Sequence, residues 1–462
     1  MSARSLHLPR WYYVLALLLP MLMLLDPIRE FFVSASGRWL YILALSFSLS
    51  TLATPFFRKL ALRWDMVDRP GGHKIHREPT PLLGGGAVLL GFTLPLLVNG
   101  IYSEQFIAVF VSALILFMVG VADDSRNLKA HWKLVIQIVL AFGLTFYGVR
   151  LHLLPETLPL AGIVNRCFSV IWIVGITNAM NFFDGMDGLA AGLGAIVAFF
   201  LAVVVAMEMC SPLVGWTAVA MMGACLGFLP HNFRPWKRGR IFLGNAGSTV
   251  LGFVLASLAI YTDWADLHPV VSIFSPLLIF WIFIFDMTYI TIFRVMSGKT
   301  RTFRQWIEYV GHDHLHHRMA RVLGGPTQSV LFIYILAVCL GLNALLLRYA
   351  PPFLASLLIG QAVLIVVLVS ASWRRTVGMG NRKGPRKKCS SRGPGQGGKN
   401  GEVQAAGSVT PLFTLALPLP LFVQSLLHAF DEERPGNGRV TQHLGKPPAV
   451  LRCHKFPPRD SL

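Results

Sequence analysis

Apolar runs and short polar segments alternate along almost the whole chain. The runs lie at 11–25, 38–57, 82–99, 106–122, 131–149, 162–180, 189–207, 212–229, 246–260, 270–293, 328–347 and 353–372. Most approach the ~20 residues that an α-helix needs to cross a hydrocarbon core. The pattern predicts an all-α fold, a polytopic integral membrane bundle of about 11–12 transmembrane helices. The first run, Trp11 to Leu25, has the look of a signal peptide, but Asp26-Pro27-Ile28-Arg29 offers no small-residue cleavage site. It reads as a retained first helix.

The gaps divide into two kinds. Those at 58–81, 123–130, 181–188, 230–245 and 294–327 are long and rich in polar groups, whereas Asn99–Gln105 and Thr262–Pro269 are short and nearly free of basic residues. Before residue 374, Lys and Arg divide 21 to 5 between the two sides. By the positive-inside rule the rich loops and both termini are cytoplasmic, and the chain is a multi-pass protein of the inner (plasma) membrane.

Composition changes this picture little. With 54% hydrophobic and 14% charged residues over 462 positions, a soluble domain would expose mostly apolar surface. The net charge of +19 sits in loops between spans, so it signals topology and not a nucleic-acid partner. Residues 374–462 carry fifteen Lys and Arg against five Asp and Glu. The stretch 374–402 is rich in Gly, Pro and base, as disordered segments are, and suits contact with anionic lipid. The chain therefore divides into a membrane domain, 1–373, and a basic tail, 374–462. Leu412–Leu427 is apolar but interrupted by Pro418 and Pro420, and is not counted as a span. The six cysteines show no CxxC spacing, and Cys167, Cys210, Cys225 and Cys339 read as small core residues.

Chemistry concentrates in five segments. Asn178-Ala-Met-Asn181-Phe-Phe-Asp184-Gly-Met-Asp187-Gly188 ends an apolar run with two amides and two acids. Ionisable groups beside hydrocarbon are costly without a cation, a partner or water. A polar helix terminus with turn glycines explains Asp-Gly but not the two asparagines. Asp123-Asp124 ends another run; the bland reading is a solvated loop with a helix cap. Together the two clusters suggest one shared site for a hard divalent cation. The loop Arg69–Gly86 combines Lys74, His73, His76, Thr80 and the run Gly84-Gly85-Gly86, and either cradles a pyrophosphate with cations and backbone N–H groups or is a basic linker. Gly244-Asn245-Ala246-Gly247-Ser248 starts a span, where free N–H groups face an anion or Asn245 caps the helix. His312-Asp313-His314-Leu315-His316-His317-Arg318 packs four histidines into six residues. Zinc is one reading; the absence of a nearby cysteine and the character of the other loops favour phosphate or nucleotide contact.

In this order, HKIHREPTPLLGG, VGVADD, NAMNFFDGMDGLAAG, LGNAGS and HDHLHHR resemble the motifs of the polyprenyl-phosphate N-acetylhexosamine-1-phosphate transferases, over about residues 40–345. The form of His314, His316 and His317 is similar to the branch that uses simple UDP-N-acetylhexosamines. The resemblance implies transfer of HexNAc-1-phosphate, GlcNAc-1-phosphate in the first instance, from a UDP-sugar to polyprenyl phosphate, undecaprenyl in the bacterial branch. UMP is released, and the step opens cell-envelope polysaccharide synthesis. Mg²⁺, or Mn²⁺ in its place, is the implied cofactor, with Asp123, Asp124, Asn181 and Asn245 as metal ligands. Asp123, Asp124, Asp184 and Asp187 are the implied catalytic set. Lys74, His76, Thr80, Asn178, Asn181, His314, His316, His317 and Arg318 are the implied substrate contacts. The family commonly has Asp where this chain has Asn245, which keeps a carbonyl oxygen but brings no charge. Partners are thus a UDP-N-acetylhexosamine, a polyprenyl phosphate and the membrane; a homodimer is compatible with the pattern.

Two rivals remain on the sequence. A secondary transporter would also show many spans and intramembrane polar residues, but with internal repeats and midplane sites, and neither is visible. A catalytically inactive member of the same family is the other, resting on Asn245.

Overall fold

The structure, a computed structural model, describes residues 10–380 apart from 35–36, 70–78, 156, 209–211, 235–237, 263–268, 301, 303–304, 306–308, 310 and 312. The tail from 381 onward, and Cys210, Lys74 and His76 with it, lies outside the described residues. Among the described residues fifteen α-helices follow one another. They are α1 Arg10–Met23, α2 Asp26–Ser34, α3 Arg38–Arg63, α4 Gly84–Val98, α5 Glu104–Arg126, α6 Ala130–Leu144, α7 Ala161–Phe183, α8 Leu189–Glu208 and α9 Pro212–Asn232. After these come α10 Gly244–Tyr261, α11 Pro269–Ile279, α12 Trp281–Met296, α13 Leu315–Leu323, α14 Pro326–Leu347 and α15 Pro352–Gly380. Between α3 and α4 a minimal antiparallel pair, β1 Val67–Asp68 and β2 Thr80–Pro81, closes the loop. The boundary drawn from composition at 373/374 falls inside α15.

Among the described residues nine helices are long and apolar enough to cross a bilayer, or eleven if each of two bent pairs is one span. The chain is a multi-pass helical membrane protein. Three of the twelve expected runs are not simple spans. The first, 11–25, forms only the 14-residue α1, which meets α2 beyond the run at a bend of 82°; Pro27 suits the first turn of a new helix. The run 270–293 divides at Phe280 into α11 and α12, also bent by 82°. There Phe280 packs on Trp172 and Phe283 on Phe183, both rings of α7. The run 82–99 yields α4, whose 15 residues reach only about 22 Å.

Helix α10 lies at the centre, packed against α4, α5, α7 and α8. Nearly every residue from Gly244 to Ile260 is buried, as expected of a helix apolar all round. Small residues permit this crowding. A Cβ on Gly85 would sit 2.2 Å from Gly247 Cα, and one on Gly120 would sit 2.3 Å from Ala246 Cα. The first turn of α10 is thereby drawn against the starts and ends of its neighbours, and that convergence builds the site. The glycine run has this packing role. Its N–H groups are spent on carbonyls, Gly84 on Phe242, Gly85 on Leu243 and Gly86 on Leu83, so they do not cradle a phosphate. Cys225 is buried, but Cys167 and Cys339 are exposed on the bundle surface and are not core residues.

Candidate active site

Asp123 and Asp124 belong to the last turn of α5 and do not open a loop; the helix runs to Arg126 and Asn127 ends it at φ 50°. Asp123 is buried, with both oxygens engaged. Oδ1 accepts the Leu128 N–H at 2.9 Å, while Oδ2 accepts Lys133 Nζ at 2.7 Å and Asn245 Nδ2 at 2.9 Å. A buried carboxylate persists only when paired and hydrogen-bonded in this way. Lys133, on α6, is therefore part of the site.

Asp124 turns to the start of α10. Its oxygens accept the Asn245 N–H at 3.1 Å and the Ala246 N–H at 3.4 Å. First-turn N–H groups lack helical partners and lie at the positive end of the dipole. The anion at this helix start is thus the protein's own carboxylate. Asn245 does not cap α10; Leu243 holds the N-cap position, and its own side chain makes no cap bond. The Asn245 carboxamide instead bridges, donating to Asp123 and accepting from Asn181 Nδ2 at 2.9 Å, which also reaches Ser248 Oγ at 2.9 Å.

The end of α7 supplies the other acids. Asn181 and Asp184 line the same cavity as Asp123 and Asp124, with Asp187 in the turn that follows. That turn is held by Gly188, at φ +81°, whose N–H donates to Asn232 Oδ1 at 2.7 Å, and by Asp187 Oδ2, which accepts the Gly239 N–H at 2.7 Å. Burial pushes the Asp184 carboxyl well above the usual carboxylate range, and the neighbouring Asp124 charge adds to the rise. Asn178 is not on the cavity. Its amide donates to Gln137 Oε1 at 2.6 Å and to the Val174 carbonyl at 2.8 Å, so it ties α7 to α6.

The cavity holds about 1220 Å³ and is also lined by Thr80, His317, Arg234, Arg238 and Trp64. Among the described residues of the histidine segment, only His317 reaches it. His314 is buried with Nδ1 at 2.8 Å from Asp286 Oδ2, His316 is buried beside Phe183, and Arg318 is buried over the Tyr289 ring at 4.2 Å. Arg294 grips Asp313 with two bonds of 2.9 and 2.7 Å; burial alone would raise the Asp313 carboxyl, but this pairing holds it below the usual range.

Asp124 and Asp184 suit a divalent ion. Among the described residues no Lys or Arg lies within ion-pair distance of either, so two carboxylates line one cavity and neither is paired with a side-chain cation. Among the described residues, too, no three His, Cys, Asp or Glu side chains form a cage. Mg²⁺ does not require one, because it binds through one or two carboxylates, water and substrate phosphate.

Comparison with known proteins decides the lineage. A family model described as Glycosyl transferase family 4 matches residues 106–263. A protein of Bacillus subtilis, named probable undecaprenyl-phosphate N-acetylglucosaminyl 1-phosphate transferase, is 32% identical over 328 residues, covering 69% of this chain and 87% of its own. The chain belongs to glycosyl transferase family 4. A decaprenyl-phosphate N-acetylglucosaminephosphotransferase of Mycolicibacterium smegmatis is 30% identical over 70% of this chain and 85% of its own. A phospho-N-acetylmuramoyl-pentapeptide-transferase of Synechococcus is 36% identical over a shorter stretch, 48% of this chain and 70% of its own. This family 4 protein is a membrane transferase of the group that serves cell-wall biogenesis.

Several residues of the family 4 site carried no mark in the motifs. Lys133 sits one helix away from Asp123, Asn232 ends α9, and Arg238 comes from the loop after it. Asp286 did carry a signal, as a lone acid inside the apolar run Phe283-Ile284-Phe285-Asp286-Met287.

Proposed function

We propose that this chain transfers HexNAc-1-phosphate, with GlcNAc as the sugar, from UDP-GlcNAc to polyprenyl phosphate on the cytoplasmic face of the plasma membrane. A lipid phosphate oxygen attacks the sugar-bearing phosphorus, the bond to the UMP oxygen breaks, and UMP leaves. The observation that carries this reading is the single cavity on which Asp123, Asp124, Asn181, Asp184, Asp187, Asn245 and His317 converge from four helices and a turn. At about 1220 Å³ it exceeds the roughly 300–1,000 Å³ usual for one small ligand and has room for two reactants. The names of the Bacillus and Mycolicibacterium relatives, and their longer coverage of the chain, favour N-acetylglucosamine over a peptide-bearing sugar.

No general base is required, because a phosphate monoester is largely dianionic near neutral pH. Asp123, with both oxygens engaged, suits positioning and not proton removal. His317, Arg234 and Arg238 face the cavity and would contact phosphate. A Mg²⁺ or Mn²⁺ ion held by Asp124 and Asp184 would neutralise charge building on the departing UMP. Catalysis is then mostly placement and electrostatics.

The test is incubation of purified protein with radiolabelled UDP-GlcNAc, undecaprenyl phosphate and Mg²⁺. Label in the lipid extract with stoichiometric UMP supports transfer. Label trapped inside vesicles with no lipid product would mean transport, and neither would mean an inactive family member.

A further inference from the structure

Asp286 lies fully buried in α12, in a stretch otherwise apolar. Both its oxygens are committed to the histidine segment. Oδ2 is 2.8 Å from His314 Nδ1, and Oδ1 accepts the Leu315 N–H at 2.7 Å. Leu315 is the first residue of α13, and its own N-cap residue, His314, makes no side-chain cap bond. A carboxylate from another helix therefore does the capping, where a negative charge also meets the positive end of the helix dipole.

The same contact is locked to the acidic end of α7. The His314 ring stacks on Phe182 at 4.9 Å between centroids, and Phe283, one turn before Asp286, packs on Phe183 at 5.1 Å. Phe182 and Phe183 immediately precede Asp184. His317 stands three residues after His314 and is the member of the segment that lines the cavity. One buried carboxylate thus joins the helix that carries Asp184 to the helix that carries His317.

We propose that Asp286 is a positioning residue for the transfer: by holding His314 and the first N–H of α13, it sets the register in which His317 faces the cavity. The inference rests on the transferase reading above, and specifically on His317 as a phosphate contact. Asp286 is not among the residues that line the cavity, so it acts through the elements it holds and not by touching substrate.

The experiment compares kcat and KM for UDP-GlcNAc in H317A, D286N, D286A, D286E and the double variant D286A/H317A, each normalised to monodisperse protein in detergent. H317A and D286A are each expected to lose roughly ten- to hundredfold in kcat/KM, the scale of an ångström-level misplacement. The double variant should be no worse than the poorer single, and D286E should recover part of the loss. D286N keeps an acceptor for the Leu315 N–H but removes the charge, and provides the measurement if D286A does not fold. An unimpaired H317A would remove the phosphate-contact reading itself. An impaired H317A beside wild-type D286N and D286A would leave that reading standing and overturn the positioning role. Losses that multiply in the double variant would also overturn it, since they would show Asp286 acting independently of His317.

Discussion

Replacing Asn245 with Asp adds a negative charge beside Asp123, and the geometry allows its effect to be worked out. Asn245 Nδ2 now donates to Asp123 Oδ2 at 2.9 Å. In N245D that donor becomes a carboxylate oxygen, and two unit charges about 3 Å apart at an effective dielectric of 20 repel by roughly 6 kcal/mol. Lys133, 2.7 Å from the same Asp123 oxygen, offsets part of this, leaving a penalty of about 3 kcal/mol when no further cation is present. A divalent ion that relieves it binds more tightly, and at 1.4 kcal/mol per decade the gain is roughly ten- to hundredfold after relaxation is allowed for. N245D should therefore melt lower than wild type in EDTA, gain more from added Mg²⁺, and reach half-maximal transfer at a lower Mg²⁺ concentration. The assay is a Mg²⁺ titration of transfer at saturating UDP-GlcNAc and lipid phosphate, with melting curves of both proteins in EDTA and in Mg²⁺. Superimposable titrations together with equal melting temperatures in EDTA would place Asn245 away from both Asp123 and the ion, and refute the reasoning.

D123N and D124N should each abolish most transfer while membrane insertion is kept; near-normal activity of both at limiting Mg²⁺ would end the shared ion site. G85A should destabilise by about 3 kcal/mol, because its Cβ would meet the Gly247 backbone 2.2 Å away; this exceeds the gain of about 1 kcal/mol that Ala brings to a helix. G175A, whose Cβ meets nothing within 4 Å, should be neutral or slightly stabilising in the same thermal denaturation. In Mg²⁺-free buffer, stability should fall as pH rises. Asp184 has its folded pKa raised above 3.8, so its stabilising proton is fully bound below that value and is lost as pH climbs through the raised one. Mg²⁺ should flatten the slope and D184N should remove it, as melting temperature against pH would register.

The membrane class and the acid–amide clusters were legible in the residues; the number of spans was not, since among the described residues nine helices, or eleven with the bent pairs, are long and apolar enough to cross. Hydrophobic run length against bilayer thickness is a local quantity, and so is the cost of placing Asp184 or Asp123 at the end of an apolar helix. Side-chain direction and helix contact are not local. Asn178 and Asn181 are three residues apart on one helix, yet one turns to Gln137 and the other to Asn245, because different neighbours pack against those faces. His314, His316 and His317 look equivalent in sequence, but a helical turn sends one to Asp286 and another to the cavity. The glycines that open α4 left a phosphate cradle and a linker both open on sequence, and only the packing of Gly247 against Gly85 gives them a structural role. Apolar periodicity and charge thus determined by themselves that there would be a bundle with acids at its helix ends. Which acid meets the Asn245 amide and which meets the α10 dipole were decided only when α10 packed into the centre, since those contacts join atoms more than a hundred residues apart.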